Sequence, residues 1–234
     1  MIYFISDIHG CYKEYMELLE KISFSDEDEL YVLGDVTDRG PEPMKVLQDM
    51  MQRANVYPIL GNHDYMALIN LKKFTVEIRE DNVETHLSQK DIMDFFYWQD
   101  DGGKTTVETF KKLSLEEKLD ILEYLEEFSL FEEVFSNGRR YVCVHGDLHG
   151  FSEEKELDEY HLKDFIFYRA DYDKRYFQDK NTFLVTGHTP TMLLNEDGKP
   201  QVYEKNGHIA IDCGCVYGKH LAAYCVETGK VTYV

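Results

Sequence analysis

Gly34-Asp35-Val36-Thr37-Asp38-Arg39-Gly40 follows directly on the apolar run Leu30-Tyr31-Val32-Leu33. Two carboxylates, an arginine and two glycines therefore stand where a strand is expected to end. Two shorter stretches flank it at nearly even spacing. In Ser6-Asp7-Ile8-His9-Gly10, Asp7 lies 28 residues before Asp35; in Gly61-Asn62-His63-Asp64, Asn62 lies 27 residues after it. Each also follows a short apolar run, residues 1–5 and 56–60. In open α/β sheets, ligands bind at the loops leaving the carboxyl ends of strands. Three such loops bringing Asp, His, Asp and Asn together read as a metal-binding cluster, and His145 and His188, each ending another apolar run, complete it.

Each stretch alone has a plainer reading, a turn in which Asp or Asn caps the following helix. Five of them, all at the ends of apolar runs and all carrying hard or borderline ligands, are not explained one at a time.

The chain has 234 residues, 43% hydrophobic and 30% charged, the composition of an ordinary globular domain. Its 45 acidic against 25 basic residues leave a formal charge of −20. Such a body repels nucleic acid and acidic membrane surfaces, because both are bound through lysine and arginine. Five cysteines without a pairing pattern point to a reducing compartment. No apolar stretch is long enough for a spanning helix or a signal-peptide core. The expected location is cytoplasmic.

Helical spacing over residues 12–22, a strand over 30–33, a helix with Pro41 in its first turn and a strand over 56–60 make a βαβαβ beginning, with parallel strands. Residues 64–129 read as helical and polar. A helix ends in Phe95-Phe96-Tyr97-Trp98, Asp100-Asp101-Gly102-Gly103 reads as a loop, and Ser114 with Glu117 forms a capping box. The helix that follows is expected to face inward with Leu115, Leu119, Leu122 and Leu125 or Tyr124. Strands return near residue 131, with runs at 140–144 and 182–186, a helix over 157–168 between them, and a closing antiparallel meander in the last 40 residues.

On these motifs the chain resembles the calcineurin-like metallophosphoesterases, in their phosphoprotein phosphatase branch. The family pattern is Gly-Asp-x-His-Gly, Gly-Asp-x-x-Asp-Arg-Gly, Gly-Asn-His-Glu/Asp, His-Gly/Ala and Gly-His, and all five motifs occur here in order between residues 6 and 188. The run Ile209-Ala210-Ile211-Asp212-Cys213-Gly214-Cys215-Val216-Tyr217-Gly218-Lys219 also looks like the bacterial members. The resemblance implies an α/β fold of two mixed β-sheets packed as a sandwich and flanked by helices. It would form one domain over residues 1–234, with a mainly helical insertion at about 65–129.

It further implies two divalent ions, manganese first and iron or zinc as alternatives. Asp7, His9 and Asp35 would hold one; Asp35, Asn62, His145 and His188 the other, with Asp35 bridging. Imidazole, carboxylate and amide ligands suit such metals. Only Asp7 and Asp35 among these ligands would be ionised, so the loaded site stays positive and a −20 chain can accept a phosphate dianion. By the same resemblance His63 is the general acid, Asp38 its orienting partner, and Arg39 and Arg169 bind the phosphoryl group. The implied function is phosphoester hydrolysis by metal-activated water. Phosphoserine or phosphothreonine protein is the first substrate class and a dinucleoside tetraphosphate the alternative; a binding module that keeps the site without the chemistry is a third reading.

Ser6 stands where the family has its first glycine, and Asp64 where many members have glutamate. Leu60 replaces the arginine that eukaryotic protein phosphatases carry before Gly61, which weakens the inference to that class. Cys213 and Cys215 are spaced as a ligand pair but have no second pair beside them, and packing explains them best. His86, His149, His161, His208 and His220 receive no role, although His149 is close enough to His145 to line the mouth.

Overall fold

The computed structural model describes residues 1–75 and 88–234, so His86 lies outside the described residues. The chain runs through β1 (Ile2–Ile5), α1 (Tyr12–Lys21), β2 (Glu29–Leu33), α2 (Pro43–Met51), β3 (Val56–Ile59) and α3 (Asn62–Thr75). There follow α4 (Gln89–Trp98), α5 (Lys104–Phe110), α6 (Leu115–Glu126), β4 (Phe131–Ser136), β5 (Arg139–Val144) and α7 (Leu162–Ile166). The end is β6 (Thr182–Thr186), β7 (Tyr203–Lys205), β8 (His208–Ala210), β9 (Ala222–Cys225) and β10 (Val231–Tyr233).

Alternation within the apolar runs builds the layers. Leu30 and Val32 of β2 pack towards the helices, while Leu33, with Tyr31 against it, joins a separate cluster with Phe4, Tyr141, Cys143, Val185 and Ile209. That second cluster draws on both sheets and is the interior of the sandwich. Its side chains are fully or almost fully buried, and each contributes about 1.5–3 kcal/mol by leaving water. One sheet has the order β10-β9-β1-β2-β3 and the other β4-β5-β6-β8-β7. In the first, β1, β2 and β3 are parallel and β9 and β10 antiparallel; in the second, β5, β6 and β8 are parallel and β4 and β7 antiparallel. These are the two mixed sheets expected.

The details depart from expectation at five places. The second helix begins at Pro43 rather than Pro41, because Glu42 N–H is still bonded to Gly10 O and holds the chain against the first loop. Residues 157–168 form no continuous helix. A 3-10 turn at Leu157–Glu159 gives way to extended Tyr160 and His161 before α7 starts, and Glu159 and Asp164 each cap a separate start through the amides of Glu156 and His161. Residues 99–103 are a π turn kinked at Gly102, φ 121°. In α6, Leu115 and Leu119 are exposed, and Ile121, Leu122 and Leu125 form the inner face. The closing meander is divided: β7 and β8 complete the second sheet, with β8 parallel to β6, whereas β9 and β10 extend the first. Among the described residues, no helix is long and apolar enough to cross a membrane.

Candidate active site

The parallel strands of both sheets end on one edge, and each is followed at once by a polar side chain of one cleft. Asp7 and His9 follow β1, Asp35 follows β2, and Asn62 and His63 follow β3; His145 follows β5, His188 follows β6 and Asp212 follows β8. Backbone bonds stitch the loops together: Asp7 N–H to Gly34 O (3.0 Å), His9 N–H to Asp35 O (2.8 Å) and Gly187 N–H to His145 O (2.9 Å). Six of these sequence-named residues, Asp7, His9, Asp35, Asp38, Arg39 and His188, have positive φ between 45° and 69°. That conformation costs a non-glycine residue about 1–2 kcal/mol, so the loop bonds hold the side chains inward against a local preference. Gly61 is required for close approach, since a Cβ there would lie 2.2 Å from both Asp35 N and Oδ1.

Asp35 is common to two groups of donor atoms that converge closely enough to hold an ion, His9–Asp35–His63 and Asp35–His145–His188. Asn62 joins the second, its Oδ1 being 3.0 Å from His145 Nε2. Backbone carbonyls set the imidazoles: His9 Nδ1 bonds Thr37 O (2.7 Å) and His145 Nδ1 bonds Leu33 O (2.8 Å), which directs each Nε2 into the cleft. Asp7 is not part of the first group; its Oδ2 is held by Ser6 Oγ and by His188 N–H (3.0 Å). Ser6, in the family's glycine position, thus has a bonding role.

The electrostatics are those of a pocket with too much negative charge. Burial and then Asp212 push the Asp7 carboxyl well up; burial, offset by a bond from Gly214 N–H and reinforced by Asp35, moves Asp212 up to about 6. Burial opposes charge on both Asp35 and His145, but the pair overcomes it: His145 and then His63 hold Asp35 well below the usual carboxylate range, and Asp35 carries His145 up to about 10. A proton is thereby drawn to His145 Nε2, 3.0–3.4 Å from Asn62 Oδ1, His188 Nδ1 and Asp35 Oδ1. The donor set takes up positive charge at the point where a cation would sit, and we read it as fitting divalent metal.

Arg39 lies across the mouth, with Nη1 2.7 Å from His9 Nε2 and Nη2 2.7 Å from His63 Nε2. His63 Nδ1 donates to Asp38 Oδ2 at 2.8 Å. Burial resists a charge on His63, whereas Asp35 and the Asp38 bond raise its pKa. The Arg39 contact requires a neutral ring, so the geometry describes the deprotonated imidazole, while the two carboxylates pull toward the protonated form. Arg169 is exposed and lines the same cleft of about 190 Å³, as do Asp101, Asp212 and Tyr217. His149 does not line it: the ring stacks on Tyr168 at 3.6 Å.

Three features were missed in the sequence. Asp212 carried much the same signal as Asp7, an acid at the end of an apolar run. Asp64 does more than vary a motif, since its carboxylate accepts from Val36 N–H (3.0 Å), Thr37 N–H (2.9 Å), Thr37 Oγ1 (3.0 Å) and Gly61 N–H (3.2 Å), tying two motif loops together. Trp98 and Thr106 bond Asp38 and had no local signal. The five cysteines are free and buried.

The calcineurin-like phosphoesterase profile matches residues 1–234. Over 99 residues the chain is 40% identical to a symmetrical bis(5'-nucleosyl)-tetraphosphatase of Buchnera aphidicola subsp. Schizaphis graminum, a match covering 42% of this chain and only 36% of that relative's length. The asymmetrical bis(5'-nucleosyl)-tetraphosphatase PrpE of Halalkalibacterium halodurans is 26% identical over 94% of this chain and 87% of its own. A crystal structure provisionally named a diadenosine tetraphosphatase superimposes with a TM-score of 0.64 at 19% identity, covering 100% of this chain and 92% of the other. The cold-active protein-tyrosine phosphatase of a psychrophilic Shewanella species does so at 0.57 and 19%, covering 99% and 76%. At such identities the structural likenesses speak for the fold, and the profile over all 234 residues decides the family: the chain belongs to the calcineurin-like phosphoesterases.

Proposed function

We propose that this protein is a metal-dependent phosphohydrolase that cleaves a phosphoanhydride of a dinucleoside tetraphosphate. For the chemistry, the observation that carries the reading is Asp35, shared by two convergent donor groups. For the substrate, support comes from the relative matched along 94% of the chain, a tetraphosphatase by name. This reverses the order expected from the motifs, which put phosphoprotein first. Tyr217, 56% exposed beside the cleft with the Arg39 guanidinium 5.9 Å from its ring centre, is the aromatic side chain that would meet a nucleobase.

In this reading residues 1–234 act as one cytoplasmic catalytic domain, and the helices of 65–129 are an insertion in it. Asp7, His9 and Asp35 would hold one ion; Asp35, Asn62, His145 and His188 would hold the second. Manganese is the first choice, with iron or zinc as alternatives. When bound, the ions would neutralise phosphoryl charge and acidify water. Arg39 Nη1 now occupies His9 Nε2, so His9 would hold an ion only with Arg39 turned off it, and Arg39 would then have its planar fork free for phosphoryl oxygens beside Arg169. His63, held through Nδ1 by Asp38, presents Nε2 to protonate the leaving oxygen.

The test is product analysis after chelation and reloading with manganese, iron or zinc. Diadenosine tetraphosphate should be hydrolysed with a higher kcat/KM than a phosphoserine peptide, and the products identify central or lateral cleavage. A higher value for the peptide would restore the phosphoprotein reading. Inactivity on every phosphoester with metals bound would leave a binding module.

A further inference from the structure

We propose that Trp98 and Thr106, on helices remote in sequence from every motif, are positioning residues for the general acid: they clamp Asp38 and through it aim His63. The proposal rests on the hydrolase reading above. Asp38 is wholly buried. Its Oδ2 accepts from His63 Nδ1 (2.8 Å) and also from Trp98 Nε1 (2.7 Å). Its Oδ1 accepts from Thr106 Oγ1 (2.6 Å), and the same hydroxyl oxygen accepts from Asp38 N–H at 2.9 Å. Thr106 therefore grips Asp38 at both backbone and side chain, across a residue whose φ is 69°.

A carboxylate bonded to a histidine alone can rotate about its Cβ–Cγ bond and swing the imidazole with it. Donors on both oxygens, from another part of the fold, remove that freedom. The clamp is itself fixed: Trp98 and Thr106 are 1% and 0% exposed. The indole packs so closely on Gly103 that a Cβ there would lie 2.4 Å from it. The neighbouring Gly102 carbonyl accepts from Arg39 N–H at 3.0 Å, so the Trp98–Thr106 segment holds Asp38 and Arg39 together. A core tryptophan and threonine that merely satisfy a buried acid would affect stability. A positioning pair acts on proton delivery, and the two roles separate in kinetics.

The experiment compares Thr106→Val, Thr106→Ser and Trp98→Phe in the metal-loaded enzyme. Each is made alone and combined with His63→Asn, with diadenosine tetraphosphate and a series of aryl and alkyl phosphates as substrates, the alkyl phosphates supplying the basic leaving groups. Thr106→Val and Trp98→Phe should lower kcat about tenfold where the leaving group is basic, the loss of one well-placed bond to a charged group. On p-nitrophenyl phosphate they should have little effect, and KM and metal content should be unchanged. Thr106→Ser should restore the rate. In the His63→Asn background the same substitutions should cost nothing further. Equal slowing of all leaving groups, failure of serine to rescue, or full additivity with His63→Asn would each overturn the proposal while the hydrolase reading stands. A parent inactive on every phosphoester with metal bound would overturn both. Trp98→Phe keeps the buried ring, so the test survives if Thr106→Val does not fold.

Discussion

The strand-end loops and the helical stretch from Gln89 to Glu126 meet at the same few atoms by opposite means. The loops deliver the candidate ligands directly, one strand end after another, with the backbone of Asp7, His9, Asp35 and His188 held at positive φ. The helical stretch delivers no candidate ligand; Trp98, Thr106 and the Gly102 carbonyl reach Asp38 and Arg39 from behind, and only Asp101 of this stretch lines the cleft. With the roles proposed above, holding the metals and orienting the proton donor become separable tasks. Substitutions of the proposed ligands should change what is bound, and substitutions of Asp38, His63 or the helical side chains behind them should change how fast it reacts.

The largest effect should come from Asp35→Asn. It removes the carboxylate common to both donor groups, so elemental analysis should show loss of more than one metal equivalent per chain, with activity falling below that of any variant described next. Unchanged stoichiometry would show that Asp35 does not bridge.

His63→Asn should leave metal content nearly intact and slow turnover of alkyl phosphates by about 10²- to 10⁴-fold, the usual worth of a general acid. The leaving-group dependence should steepen, because an alkoxide needs the proton, whereas p-nitrophenolate and the nucleotide phosphate released from a tetraphosphate need it much less. Metal lost with His63 would instead place it among the ligands, in line with its membership of the first donor group, and would blur the proposed division between loops and helices.

Arg39→Lys keeps the charge but loses the fork that now spans His9 and His63. A fall of roughly tenfold in kcat/KM and weaker inhibition by phosphate are expected, since bonds to charged groups contribute about 1.5–3 kcal/mol each. Kinetics equal to the parent would remove Arg39 from phosphoryl binding.

The smallest change is expected from Asp101→Asn. This exposed acid stands 3.8 Å from Arg39 Nη2 and 3.9 Å from His63 Nε2. Losing its charge should lower KM for an anionic substrate by less than about threefold at moderate salt, as exposed charges are screened. A rise in KM would make Asp101 a substrate contact and give the helices a binding role as well.

The ligand motifs and the strands before them were legible because each motif stands within a few residues of an apolar run that can only be buried. Local propensity misjudged the elements whose ends are set by distant partners. Pro43 rather than Pro41 opens α2 because Gly10 holds Glu42. The last four strands divide between two sheets because Ala222–Cys225 and His208–Ala210 are buried against different neighbours.

The chain's own order of residues thus determined which strands end in acids and histidines, the two-sheet class and the family. Only the tertiary structure decided that Trp98 and Thr106, 60 and 68 residues from Asp38, close on its carboxylate, and that Asp64 ties two motif loops. A hydrophobic run and the residue after it are covalent neighbours, so their relation is written locally. A buried hydrogen bond between separate elements depends on where packing brings them, and no spacing in the sequence encodes that distance.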